Sequence, residues 1–196
     1  MKAIRIIRDE HRSLAAVIHG LLYLVREIRE RDANPDFELF TAMLRYIDEF
    51  PERLHHPKED AYLFARLLER DPASAGVIRK LNDEHAEGAT KMRELAALLD
   101  AYRREGRAAF APFAAAIERY ATFHWEHMRV EETDVLPACE RHLTDDDWAA
   151  IDAAFADNDD PLFGIEAKDA FSALFRRIVQ LAPAPIGVGP PLETRR

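Results

Sequence analysis

Apolar side chains recur at three- and four-residue steps through about residue 142, the period of α-helices that each bury one face. The first row runs Ile4, Ile7, His11, Leu14, Ile18, Leu21, Val25 and Ile28, and breaks at the turn-forming Asp32-Ala33-Asn34-Pro35. The second passes through Phe37, Phe40, Leu44, Ile47, Leu54 or His55, Glu59 and Leu63, and ends near Arg70-Asp71-Pro72. There Asp71 is expected to cap the next helix, with Pro72 at its first position. Pro57 lies inside the second row, where its missing N–H leaves the carbonyl of Arg53 without a donor and predicts a bend. The third row is Ile78, Leu81, His85, Gly88, Met92, Leu95, Leu99 and Tyr102, closed by Glu105-Gly106. The fourth is Phe110, Phe113, Ile117, Tyr120, His124, His127, Glu131 and Val135. No stretch alternates cleanly enough to predict a strand, so the expected fold is all-α, an up-down-up-down four-helix bundle over residues 1–142.

Beyond residue 142 the texture changes. Thr144 can cap a short helix carrying Trp148, Ile151 and Phe155, NDDPLFG interrupts the chain, and a last helix carries Phe171, Leu174, Phe175 and Ile178. From Pro183 the Pro- and Gly-rich PAPIGVGPPLETRR cannot continue a helix. Residues 143–196 are therefore expected to form a cap of two additional helices and an extended tail. The aromatics Trp148, Phe155, Phe163, Phe171 and Phe175 are expected to cover the bundle, with a homodimer contact as their other use.

Composition narrows the function. A chain of 196 residues with 48% hydrophobic content suits one globular domain with a small extension. The net charge of -9 argues against nucleic acid as a partner, and the basic groups at 103–107 and at Arg195-Arg196 suit solvated turns. Cys139 is the only cysteine, which excludes an intramolecular disulfide and a thiolate metal cage. No apolar run approaches the roughly 20 residues of a membrane span, and the N-terminus lacks a secretory leader pattern, so cytoplasmic residence without a membrane partner is expected.

The rows carry polar, metal-capable residues where apolar ones belong. His55-x-x-x-Glu59 and His127-x-x-x-Glu131 each place an imidazole and a carboxylate one turn apart on one helix face. In an up-and-down bundle, residues at one height on neighbouring helices are equidistant from the turn between them. The midpoint of His11 and His55 is Ala33, that of His55 and His85 is Arg70, and that of His85 and His127 is Gly106, each at a turn already assigned. Four imidazoles are thus expected in one layer, with Glu59 and Glu131 displaced one turn the same way. This suits two cations bridged by carboxylates, and the nitrogen and oxygen donors suit iron, manganese or zinc. With two histidines, both glutamates and a shared oxo or hydroxo bridge on each ion, an octahedral ion would keep one position open.

The order His11, His55-x-x-x-Glu59, His85 within NDEHAEG and His127-x-x-x-Glu131 within HMRVEETDVLP resembles the hemerythrin-like (HHE cation-binding) family. The resemblance covers residues 1 to about 142. It implies an up-and-down four-helix bundle, a non-haem di-iron centre, and His11, His55, Glu59, His85, His127 and Glu131 as its metal ligands. The oxygen carriers of that family have a second histidine four residues from the ligand of the third helix, where this chain has Leu81 and Ala89. The resemblance therefore implies the four-histidine, two-glutamate branch, which includes proteins of nitric oxide stress and iron–sulfur repair.

Other residues compete for roles. His124, three residues before His127, is a fifth ligand or a group that orients one. His56 points about 100° from His55 on a straight helix and reads as a surface or interhelix residue. Glu132 competes with Glu131, and the four-residue spacing favours Glu131. Glu52, Lys58 and Asp60 read as a solvated face, and His19 as a core or interface residue. The leading expectation is a protein with two iron ions that binds O2, nitric oxide or peroxide at an open position in sensing, scavenging or stress response; zinc or manganese suit the same donors. An enzyme reducing nitric oxide or peroxide, an iron-donating repair protein, and a metal-stabilised interaction module are the alternatives. No electron-transfer partner or substrate pocket is legible.

Overall fold

The computed structural model describes residues 1–156 and 169–194, with the side chains of 169–173 and 175 excepted. The expected break at 158–164, Phe163, the side chains of Phe171 and Phe175, and Arg195-Arg196 lie outside this description.

Four long rods form the bundle. The first is α1 (Lys2–Arg31), which ends on Asp32 in the left-handed conformation. The second is segmented into α2 (Phe37–Glu49), α3 (His56–Lys58) and α4 (Ala65–Arg70), joined by π-helical turns at Pro51–His55 and Glu59–Phe64. Asp36 caps α2 by accepting from the Leu39 N–H at 2.9 Å. The third rod is α5 (Ala75–Glu105), preceded by a tight turn at Pro72–Ser74 that Asp71 caps through the Ala73 N–H. The fourth is α6 (Phe110–Val130) continuing through a π turn at Glu131–Val135 into α7 (Leu136–His142).

The bend anticipated at Pro57 takes the form of π turns on either side of it. Pro51 and Pro57 offer no N–H to the carbonyls four residues back, and the His55 N–H reaches the Phe50 carbonyl at 3.2 Å, five residues back. Pro137 stands at the same kind of junction after Glu131–Val135. Each π turn adds a residue to the helical circuit and shifts the phase of the helix beyond it.

Every position of the first, third and fourth apolar rows is buried. They sort into two apolar clusters. The larger, around Ile18, Leu21, Phe40, Ile47, Leu99, Phe113 and Ile117, fills the half of the bundle towards Ala33 and Gly106. The smaller, around Ile7, Leu63, Phe64, Leu81, Val135 and Leu136, fills the other half. Between them lies a layer of buried His and Glu.

The C-terminal residues cover both halves. Helix α8 (Asp145–Ala156) begins with a reciprocal cap, the Asp147 N–H on Thr144 Oγ1 and the Thr144 N–H on the Asp147 carboxylate. It lays Trp148, Ile151 and Phe155 on the smaller cluster and is fixed to the start of α1 by the Ala3 N–H on Asp152 at 2.7 Å. Helix α9 (Asp169–Leu181) packs Leu174 and Ile178 on the larger cluster. The tail folds back, with the Asn34 N–H donating to the Glu193 carbonyl at 2.6 Å. Among the described residues no helix is long and apolar enough to cross a membrane.

Two substitutions test this packing. Phe113, fully buried and edge-on to Phe40 with centroids 5.1 Å apart, is expected to cost about 3–5 kcal/mol as Phe113→Ala. Gly106 links α5 to the fourth rod at φ 66°, ψ -145°, and Gly106→Ala is expected to cost roughly 1–3 kcal/mol of strain. Denaturant unfolding measures both; unchanged midpoints would contradict the arrangement.

Candidate metal centre

The six sequence-predicted residues converge. His11 and His55 have ring centroids 5.2 Å apart, and His85 and His127 4.8 Å. All six are buried, with Glu59 fully inaccessible and Glu131 2% exposed. Glu59 sends Oε1 towards His55 Nε2 at 3.3 Å and Oε2 towards His85 Nε2 at 3.7 Å. Glu131 sends Oε2 towards His11 Nε2 at 3.2 Å and Oε1 towards His127 Nε2 at 3.2 Å and His85 Nε2 at 3.7 Å. Each carboxylate thus spans two groups of imidazoles.

Among the described residues two sets of donor atoms are compact enough to hold a cation: His11, His55 and Glu59, and His56, Glu59, His85 and His127. His56 belongs to the second set, a donor position that its reading as a surface or interhelix residue did not include. It is 4% exposed and stacks on His85 at 4.1 Å. The cause is the π turn at Pro51–His55, whose wider circuit lets two consecutive histidines face inward.

His124 is 1% exposed, its ring 5.9 Å from that of His127, and it lies outside both sets. Its nearest acid is Glu52, 3.8 Å from Nε2. Glu52 is not on a solvated face. Its carboxylate crosses the bundle onto the bare backbone of Gly88, where a Cβ would collide with it, and accepts from the Tyr120 hydroxyl at 3.4 Å. Burial pushes Glu52 up to about 7, against the pull of His85, Tyr120 and His127. His19 is exposed and lies against Trp125, while Cys139 is fully buried, its thiol pushed up to about 12 by burial and by Glu59.

On the outer side, each of four imidazoles meets a carboxylate at Nδ1. The distances are 2.9 Å for His11 to Glu132, 2.6 Å for His55 to Glu10, 2.7 Å for His85 to Asp60 and 2.9 Å for His127 to Glu84. Glu131 and Glu132 thus both face the centre, one from inside and one from outside. Sequence reading missed Glu10 and Glu84 and placed Asp60 on a solvated face, whereas its carboxylate turns in to His85; the only signal for the three is that each sits beside a site residue in the chain.

The donor set fits cations. His11 Nε2 and all four oxygens of Glu59 and Glu131 are buried without a hydrogen-bond partner, a costly state unless positive charge lies between them. His85 Nε2 and His127 Nε2 approach to 3.1 Å, a separation two lone pairs tolerate only around a proton or a cation. With protons alone, the layer balances by charging His11, His55, His85 and His127, while burial and the neighbouring imidazoles push His56 well below the ordinary histidine value. Burial pushes His85 and His127 down, but Asp60, Glu131 and Glu59 raise His85 to about 9, and Glu131, Glu84 and Glu59 raise His127 to about 10. Glu131, which burial would raise, is held well below the carboxylate range by His127, His11 and His85.

These shifts fix a pH dependence. A histidine raised above its unfolded value near 6.5 stabilises fully below that value, and the contribution is lost as pH rises through the folded value. Metal-free protein is therefore expected to lose thermal stability between about pH 7 and 10, through the values of about 9 and 10 at His85 and His127. Metal-loaded protein, which needs neutral imidazoles, is expected to hold its stability there. Melting temperatures of both forms across this range are the measurement, and a flat metal-free profile would refute the assignment.

Comparison with curated proteins and with solved structures gives no significant match. Comparison with protein families matches the Hemerythrin HHE cation binding domain over residues 2–139, which takes in the first three rods, the fourth as far as Cys139, and every residue of the buried layer. With a helical bundle, two cation-sized groups of His and Glu, and a family match over most of its length, the chain belongs to the hemerythrin HHE cation-binding family.

Proposed function

We propose that this chain is a non-haem di-iron protein that binds a small diatomic molecule or peroxide, in sensing, scavenging or stress response. The observation that carries the reading is the double span of Glu59 and Glu131, each aiming one oxygen at either imidazole group. His11 and His55 would hold one ion, and His56, His85 and His127 the other. Iron at such donors supplies Lewis acidity and reversible one-electron chemistry.

The two positions are unequal. The second has three imidazoles, the first two, so the first has room for an exogenous ligand. A cleft of about 210 Å³ whose lining includes His11, Trp125, Met128 and Glu132 together with the cationic Arg12 and Arg129 adjoins this position. Phe155 closes the far side, its ring edge-on to His55 at 6.4 Å, so approach is from the His11 side. The apolar clusters above and below keep bulk water from the layer, while Glu52 and Tyr120 hold the inner wall beside His56.

Metal analysis of protein purified from its own host is expected to give two irons per chain, and its absorption is expected to change on addition of nitric oxide, azide or peroxide. One ion per chain, zinc alone, or two irons without spectral response would overturn the reading. Release of nitric oxide unchanged marks a binder; a reduced product in single turnover would place the chain among enzymes instead. Glu59→Ala and Glu131→Ala are each expected to lower iron content below one per chain. Full iron retention in either variant would contradict the bridging role.

A further inference from the structure

The carboxylates behind the imidazoles form a pattern that runs around the bundle. Glu10 on α1 takes His55 on the second rod. Asp60 on the second rod takes His85 on α5, Glu84 on α5 takes His127 on α6, and Glu132 on the fourth rod returns to His11 on α1. Each helix holds the imidazole of the next, and the fourth link closes on the first.

The sequence offsets follow from helix geometry. Glu10 and Glu84 precede the site residues His11 and His85 by one position; Asp60 and Glu132 follow Glu59 and Glu131 by one. Neighbouring residues of an α-helix differ by about 100°, and viewed from one end of the bundle an ascending and a descending helix turn in opposite senses. A carboxylate that must stand on the same rotational side of its rod therefore comes one residue before on rods one and three and one residue after on rods two and four. The alternation of sign with direction matches the closed ring.

We infer that Glu10, Asp60, Glu84 and Glu132 are positioning residues that aim the Nε2 atoms of the two cation positions separately. Glu10 and Glu132 fix His55 and His11, the first position, while Asp60 and Glu84 fix His85 and His127, the second. An Nδ1–H donated to a carboxylate leaves Nε2 with its lone pair inward and stops the ring from rotating away. The four differ in shielding. The Glu10 side chain is 2% exposed and that of Glu84 17%, whereas Asp60 and Glu132 reach solvent at 41% and 40%. This inference rests on the two-cation reading above.

The metal-stripped chain is reloaded with Co2+ and followed by calorimetry and by its visible absorption, after circular dichroism confirms that each metal-free variant keeps its helices. Wild-type chain is expected to take two ions. Asp60→Ala and Glu84→Ala are each expected to weaken one class of Co2+ about 10–100-fold, with Glu10→Ala and Glu132→Ala weakening the other. The double variant Glu10→Ala/Glu132→Ala then retains one tight ion, and Glu10→Ala/Glu84→Ala retains none. Glu84→Gln and Glu10→Gln, whose amide oxygens still accept from Nδ1–H, are expected to recover most of the affinity and serve where an alanine variant fails to fold. Wild-type affinity for both ions in all four alanine variants, or equal weakening of both ions by each, overturns the ring. A wild-type chain that takes fewer than two ions overturns the two-cation reading, and the ring with it.

Discussion

Everything distinctive in this bundle stems from placing full carboxylates and imidazoles in a layer between two apolar clusters. Glu59 has no accessible surface and Glu131 almost none, and leaving either charged and unpaired would cost several kcal/mol. A bundle needs no such layer to be stable. Its upkeep demands compensating positive charge at the centre, and the helices depart from ideality in the places that deliver it.

Those departures are local. The π turns fall at Pro51–His55, Glu59–Phe64 and Glu131–Val135, each including a histidine or glutamate of the layer. Away from them, α1 and α5 run unbroken for 30 and 31 residues and present one imidazole each. The contribution of helices thus divides between two straight rods, which set height, and two wound rods, which set the number and direction of donors. Gly88 serves the same end: by omitting a side chain on a straight rod it lets Glu52 cross to the inner wall.

The layer itself was legible because antiparallel helices convert sequence distance into height. Ala33, Arg70 and Gly106 lie in or beside the three turns, and the residues equidistant from them meet as expected. His56 was not legible, since a straight helix carries it away and only the proline-associated π turn brings it inward. Asp60 read as surface charge and Glu132 as a rival of Glu131, and each is two-fifths exposed, although the oxygen that matters faces in. Glu10 and Glu84 obey the same principle: hydrophobic periodicity sees which face a residue occupies, not which neighbouring helix its carboxylate can reach. The cover by α8 was expected from Trp148, Ile151 and Phe155, but that Phe155 lies against His55 needed the tertiary packing.

The π turn before His55 also bears on how this centre could be moved to another scaffold. A designer who grafts His55, His56 and Glu59 onto a straight helix keeps the His–Glu spacing but turns one of the adjacent imidazoles away from the core. The portable unit is longer: it begins at Pro51, ends at Phe64, and carries its backbone irregularity with it. What looks like a five-residue motif is a fourteen-residue piece of bent helix, as its bounds from Pro51 to Phe64 show.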